Sequence, residues 1–362
     1  MSFAPLKGWT ERLSSFLHSA EVNSITKWAI LSPTIGFLAG VAGVAFVWLK
    51  EFFIEHVFRR ATGIVSDGIG SGNEAAPWLF LALPTFGGLL TGWLVQKFAP
   101  EAEGHGTDSV VHSYHRLRGV VRKRVIALKA LTSAITIGSG GSAGQEGPVA
   151  QVGAGIGSSI ATALKLSDRD RRVFLLSGAS AGVGAVFCSP LGGALFMPEV
   201  LYRKPEFEGE GLIPCIISSI VGYTTFTAIH GAHRAVEIAP EELKALSFDR
   251  PTELLVYLAL GVFCTLIGLG YVKVFYGVHA LFAKLTAVPK FLRPAIGGFL
   301  LGALALALAG QTGEEGVFFG GYGLIQSAIS GSLAVKTLLL LIAAKIVATS
   351  FTISSGGSGG VF

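Results

Sequence analysis

Residues 136–148 read TIGSGGSAGQEGP, and this glycine-rich stretch decides how the whole chain is interpreted. Glycines crowd in front of a single acid, Glu146, and Gly147 and Pro148 follow it directly. In a soluble enzyme, a glycine-rich turn that opens a helix would indicate a phosphate site. The composition of the surrounding chain decides whether that interpretation applies here.

The chain is far more apolar than a soluble domain. Of its 362 residues, 51% are hydrophobic and 14% are charged, whereas soluble domains average roughly 25% charged residues. Several segments contain no Asp, Glu, Lys or Arg, and each is about as long as a bilayer-spanning helix, which needs ~20 residues. The sequence therefore predicts an all-α polytopic membrane protein whose surroundings are the lipid bilayer. The segments are Trp28–Leu49, Ala75–Gln96, Gly147–Leu164, Val173–Pro198, Leu254–Val272, Pro294–Gly313 and Gly316–Val335.

Basic residues are grouped on one side of the predicted topology. Two predicted spans separate the two groups, and the positive-inside rule then places both groups in the cytoplasm. Residues 1–27 lack the apolar core of a signal peptide, so we expect a short cytoplasmic N-terminal helix there. The net charge of +5 gives no indication of a nucleic acid partner. The groups are Lys7, Arg12 and Lys27, and Arg116, Arg118, Arg122, Lys123, Arg124 and Lys129.

An internal repeat divides the chain. PTFGGLLTG (84–92) matches PAIGGFLLG (294–302), and TIGSGGSAG (136–144) matches TISSGGSGG (352–360). GHGTDS (104–109) is echoed weakly by GYGLIQS (321–327), in the same order. Halves of this kind in transporters are often inverted, with the binding site at their interface. We expect a first membrane repeat at 28–230, a linker at 231–251 and a second repeat at 252–362. The second repeat is expected to be incomplete, because its last residue, Phe362, aligns with Glu146, well before the end of the first repeat.

Glycine-rich stretches interrupt the apolar segments at 103–108, 138–148, 314–323 and 354–362. Non-helical backbone at membrane depth is tolerated only where protein buries it or where it lines a water-filled cavity. A helix that starts after such a break presents unpaired N–H groups and the positive end of its dipole. Several helix starts that converge from the two halves would bind an anion without a full positive charge, which suits rapid release.

Glu146 falls at the first turn of such a helix, and Pro148 suits an early helical position. Its carboxylate can occupy the anion site itself, and it frees the site when it is protonated or swings away. The alternative is a capping carboxylate that only stabilises the helix, by a fraction of a kcal/mol. Ionisable residues inside a membrane favour the functional interpretation.

The motifs resemble those of the CLC chloride channel and transporter family. GSAGQEGP (141–148) resembles the family's GxEGP signature, and GSGGVF (357–362) resembles the start of its GxFxP signature. GHGTD (104–108) stands where the family often has GSGxP, and PLGGALFMPEVLYR (190–203) resembles a further family segment. The resemblance implies a CLC-type fold with two inverted-topology repeats of tilted and broken helices. It also implies a homodimer in which each subunit has its own pore.

By its place in the GxEGP signature, the resemblance implies that Glu146 is the external gating glutamate. The anion cradle then consists of Gly104, His105, Gly106, Gly144, Gln145, Gly147, Gly360, Val361 and Phe362. His105 replaces the family's frequent serine, and its imidazole either donates to the anion or points away and leaves the backbone to contribute. The inner glutamate that relays protons in exchangers aligns with Val200, with Glu199 immediately before it.

A passive voltage- or pH-gated chloride channel is the main functional prediction, because valine at 200 cannot titrate. A proton-coupled chloride exchanger is the alternative, with Glu199 or a water path in place of the inner glutamate. A membrane enzyme with a phosphate loop is the remaining class, but the stretch lacks the Lys-Ser/Thr of a Walker A loop. We expect no cofactor, chloride as the ligand, and a bacterial inner membrane as the location, with a cytoplasmic N-terminus.

Overall fold

The computed structural model describes residues 24–63, 77–202, 209–231, 250–312 and 316–362. The predicted N-terminal helix at 1–27 and the predicted linker at 231–251 lie almost entirely outside these residues. Three of the four glycine-rich breaks lie within them in full, and the fourth is described from Gly316 onward.

The described residues are almost entirely α-helical. Short loops join the helices, and a π-helical turn at Ile54–Arg59 extends the first one. In chain order the helices are α1 (Ser24–Phe53), α2 (Trp78–Phe98), α3 (Thr107–Arg116), α4 (Lys123–Gly138), α5 (Glu146–Ala163), α6 (Asp168–Val186), α7 (Pro190–Val200), α8 (Gly209–His230), α9 (Glu253–Lys284), α10 (Arg293–Thr312), α11 (Tyr322–Ile329) and α12 (Val335–Ser354).

Six helices among the described residues are long and apolar enough to cross a membrane. They run over Thr26–Thr62, Trp78–Phe98, Gly211–His230, Glu253–Lys284, Lys290–Gly310 and Val335–Ser354. This finding confirms a multi-pass α-helical membrane protein.

Two of the predicted span-length segments are wrong, because each is broken. The segment 173–198 divides between α6 and α7, where Cys188 takes a left-handed conformation with φ 51° and Pro190 begins the new helix. Proline lacks the N–H that would continue the first helix. The segment 316–335 contains only the short helix α11, which Gly321 precedes with φ 81°.

The centre of the fold is packed through small residues. Helices α5 and α6 approach so closely that a methyl group at Gly153 would overlap the carbonyl oxygen of Gly178. Helix α1 rests on α8 in the same way, where Gly36 meets the backbone of Ser218. Contacts of this kind are the small-residue packing that holds membrane helices together.

Helices α2 and α10, which carry the matching PTFGG and PAIGG motifs, cross each other reciprocally. A methyl group at Gly88 would overlap the carbonyl of Pro294, and one at Gly298 would overlap the carbonyl of Pro84. Gly88 corresponds to Gly298 in the repeat, and Pro84 corresponds to Pro294. Reciprocal contact between equivalent residues is what a two-fold relation between two halves produces.

The loops after α4 and α12 pair with the same reciprocity. The N–H of Gly144 donates to the carbonyl of Gly360 at 2.9 Å, and the N–H of Gly360 donates to the carbonyl of Gly144 at 2.7 Å. These two glycines are equivalent in the repeat. This reciprocal pairing lies directly beside Glu146 in the chain.

Candidate functional site

Three of the glycine breaks are joined by backbone hydrogen bonds. Residues 357–360 lie in the middle: the N–H of Gly104 donates to the carbonyl of Gly357 at 3.0 Å, and the N–H of Gly359 donates to the carbonyl of Gly104 at 3.3 Å. On the other side Gly360 pairs with Gly144. The structure thus brings the predicted breaks at 104, 144 and 360 together, and we call this assembly the cradle.

Glu146 begins α5 and points its carboxylate into the cradle. The residue is 8% exposed. Its Oε2 lies against the backbone of Gly144 and Gly360, where an added methyl group on either glycine would collide with it. Oε2 has no hydrogen-bond partner among the described residues, whereas Oε1 accepts from the hydroxyl of Tyr322 at 3.2 Å.

The start of α5 supplies the electrostatics of this position. The N–H groups of Glu146 and Gly147 lie in the first turn, where an α-helix offers them no acceptor, and Pro148 has no N–H. The positive end of the helix dipole adds to the attraction for an anion. Gly147 packs so tightly on the carbonyl of His105 that a side chain there would overlap it. This contact fixes the position of the 104–106 break against the first turn of α5.

The side chain of His105 is turned toward Asp108. Gly104 and Gly106 flank it with φ of 74° and 88°, a left-handed backbone that glycine adopts readily. His105 Nε2 lies 2.8 Å from Asp108 Oδ2, and this hydrogen bond holds the pKa of the Asp108 carboxyl below its usual value. Because Asp108 engages the imidazole, the geometry favours a contribution from the backbone of His105 rather than from its side chain.

The last residues of the predicted cradle also lie beside Glu146. The carbonyl of Val361 accepts from the hydroxyl of Tyr271 at 2.6 Å. The backbone carbonyl of Phe362 faces Gly144, and its ring lies 5.8 Å from that of Phe196.

A buried lysine lies behind the cradle, although the sequence groups it with exposed basic residues. Lys129 is 0% exposed. Its Nζ donates to the carbonyl of Ala102 at 3.0 Å and to that of Gly104 at 2.6 Å. The lysine therefore ties the backbone of the 104–106 break to α4.

Lys345 likewise binds backbone carbonyls in the second half, and it was not among the residues predicted from the sequence. Its Nζ donates to the carbonyl of Phe319 at 2.8 Å and to the hydroxyl of Ser142 at 3.0 Å. Lys129 and Lys345 each stand seven residues before the repeated TI motif at 136 and 352. That equal spacing is the signal by which the alignment of the halves could have found the pair.

The predicted inner proton residues lie at the end of α7. Glu199 is exposed, and Val200 is half-buried against the main core. No hydrogen bond or ion pair found among the described residues joins Glu199 to Glu146. His115 of α3 reaches the same turn, where its Nε2 lies 3.0 Å from the carbonyl of Leu201.

No cluster of three or more His, Cys, Asp or Glu side chains that could hold a metal ion occurs in the described ranges. The candidate site consists of glycine backbone, helix starts and one carboxylate. A cradle of this composition suits an anion, and it places a multi-pass helical protein in the class of anion-handling membrane proteins.

Comparison with known proteins identifies the family. The family model for voltage gated chloride channels, CLC, matches residues 87–362. The chain is 30% identical over 343 residues to the H+/Cl− exchange transporter ClcA of Cronobacter sakazakii, covering 92% of this chain and 69% of that protein. The ClcA of Vibrio parahaemolyticus is 29% identical over 339 residues, with the same coverage of both chains. The chain belongs to the CLC family.

Solved structures show the same fold. A CLC-type fluoride/proton antiporter superposes with a TM-score of 0.77 at 22% identity, covering 94% of this chain and 78% of that one. A slow cyanobacterial Cl−/H+ antiporter superposes with a TM-score of 0.76 at 20% identity, covering 91% and 74%. The predicted CLC-type fold is confirmed.

Proposed function

We propose that the protein exchanges chloride for protons across the membrane. The observation that carries the proposal is the Glu146 carboxylate seated in the glycine cradle, where a transported anion would bind. The passive channel is the main prediction from the sequence, but the relatives favour the alternative, because those named above are called H+/Cl− exchange transporters. None of them bears the name of an enzyme, which weighs against a phosphate-loop function.

The geometry supports a competition between the carboxylate and chloride. An ionised Glu146 fills the cradle and excludes the anion. A proton from the external side neutralises the carboxylate, which then gives up its place beside Gly144 and Gly360, and chloride takes it. One side chain thus carries the proton and also blocks the anion, and this links the two fluxes.

Glu146 also distinguishes exchange from passive conduction. In liposomes that contain the purified protein, an imposed chloride gradient is expected to drive protons against their own gradient. Glu146→Gln is the control, since it keeps the backbone donors and removes the titrating group. Chloride flux without proton movement in the unaltered protein would support the channel, which Val200 favours because it cannot titrate.

The inner end of the proton route is proposed to use Glu199. This exposed carboxyl immediately precedes Val200, which is the residue that the sequence aligns with the inner relay. Glu199→Gln is expected to reduce proton transport several-fold and to leave chloride flux in place. His112→Gln is a matched control on the exposed face of α3. Unchanged proton transport in Glu199→Gln would leave a water path as the inner route.

We further propose a homodimer in a bacterial inner membrane, with the N-terminus in the cytoplasm. Bacterial relatives and the basic residues of the α3–α4 connection support this placement. Arg118 and Arg122 of that connection are exposed. A cysteine-labelling assay on intact cells at Arg118→Cys tests the orientation, since an impermeant reagent should not reach a cytoplasmic position.

A further inference from the structure

We propose that Lys50, Gln145 and Tyr322 form a hydrogen-bonded relay that holds the Glu146 carboxylate in the cradle and sets the pH at which it leaves. We call these three side chains the Lys50 relay. The proposal rests on the role of Glu146 as the gate. It adds Lys50 from α1 and Tyr322 from α11, which lie outside the breaks at 104, 144 and 360 that form the cradle.

The relay begins at Lys50, near the end of α1. This lysine is half-buried, and its Nζ donates to Oε1 of Gln145 at 3.1 Å. Gln145 immediately precedes Glu146, at the N-cap position of α5, and its side chain makes no capping hydrogen bond there. The first transmembrane helix thereby places a full positive charge beside the start of the gating helix.

The relay continues through Tyr322, the first residue of α11. The hydroxyl of Tyr322 donates to Oε1 of Glu146 at 3.2 Å, and the amide of Gln145 lies beside the same hydroxyl. The donor directions of the two ends agree. The ammonium donates to the amide oxygen of Gln145, which leaves the amide N–H to face the phenol oxygen, and the phenol O–H donates to the carboxylate.

The groups that face Glu146 come from several helices. Lys50 and Tyr322 act through the relay, and Tyr271 of α9 lies close enough to interact with the carboxylate. The hydroxyl of Tyr271 already donates to the carbonyl of Val361. Glu51 is the other carboxylate that interacts with Lys50. Tyr322 is therefore the phenol that donates directly to the gate.

The relay stabilises only one protonation state of the gate. An ionised carboxylate accepts a strong hydrogen bond and is attracted to the ammonium, whereas a protonated one gains little from either. Removal of the Lys50 charge or of the Tyr322 hydroxyl therefore lets Glu146 take up a proton at higher pH. Because protonation vacates the cradle, chloride flux should then rise at a higher external pH.

The test measures chloride efflux from liposomes against external pH. Lys50→Met and Tyr322→Phe are each expected to move the midpoint upward by about one pH unit, the shift typical of losing a nearby opposite charge or a direct donor. Lys50→Arg should keep the midpoint of the unaltered protein. Lys97→Met on α2 and Tyr276→Phe on α9 are controls of the same chemistry away from the cradle.

The Glu146→Gln variant separates the role of Glu146 as the gate from the role of the Lys50 relay. If Glu146→Gln retains the pH dependence, Glu146 is not the gate and the proposed function fails. If Glu146→Gln flattens the curve but Lys50→Met and Tyr322→Phe leave the midpoint in place, the relay is wrong. Gln145→Met breaks the middle of the relay, so it provides the same test if Lys50→Met does not fold.

Discussion

Replacing Glu146 with glutamine is expected to leave chloride flux running while it abolishes the dependence of that flux on external pH. In the proposed mechanism, the carboxylate and chloride compete for the same position between Gly144 and Gly360. Glutamine cannot titrate, so protons no longer decide which of them occupies the cradle. Proton transport driven by chloride should fall to the level of empty liposomes. Parallel recordings of chloride efflux and internal pH measure both effects.

The same substitution has a different outcome if Glu146 only caps α5. Loss of a capping charge would cost up to ~1 kcal/mol of stability and would leave the pH curve of the flux unchanged. Superimposable pH curves for Glu146→Gln and the unaltered protein would therefore remove Glu146 from the gate. Glu253→Gln is a suitable control, because this acid lies in the first turn of α9 rather than at a break.

Substitution of Gly144 by alanine is expected to reduce chloride flux sharply. The new methyl group would occupy the position that Glu146 Oε2 now fills, which is also where we propose that chloride binds. Overpacking in a rigid site costs about 1–3 kcal/mol, and if that cost falls on the bound anion, flux should fall by about five- to 150-fold. Radioactive chloride uptake into liposomes measures the loss.

A double substitution shows whether the methyl group acts on the anion itself. Glu146→Ala alone vacates the cradle, and it should conduct. Gly144→Ala combined with Glu146→Ala should remain blocked, because the methyl group obstructs the anion after the carboxylate has gone. Gly323→Ala on α11 is the control, since an added methyl group there meets no atom within 4 Å. Recovery of flux in the double variant would contradict an anion position beside Gly144.

The sequence predicts the candidate site best where that site depends on the type of residue at one position. The glycine breaks and Glu146 stand out because their residue types are unusual in apolar segments, and the repeat orders them in two related halves. Residues 104, 144 and 360 do come together in the structure. The segment 173–198 is predicted wrongly as one span although the sequence contains its break, because Pro190 counts as part of an apolar run.

The residues that sequence reasoning missed act across long separations. Lys50 reaches Gln145 from another helix, and Tyr322 reaches Glu146 from the other half of the chain. The sequence predicts a break at 314–323, where Tyr322 lies, but not that its phenol reaches Glu146, and no pattern marks Lys50, since both contacts depend on how the helices pack. The charge of Lys129 alone predicts a cytoplasmic surface, yet carbonyl acceptors at Ala102 and Gly104 allow it to be buried.

The most direct measurement of the central claim is a crystal structure of Glu146→Ala grown with bromide, whose anomalous scattering locates the anion. If the Glu146 carboxylate stands in for a transported anion, bromide should lie between Gly144 and Gly360, at the position that Oε2 occupies here. An empty cradle, with bromide bound only elsewhere, would contradict the account.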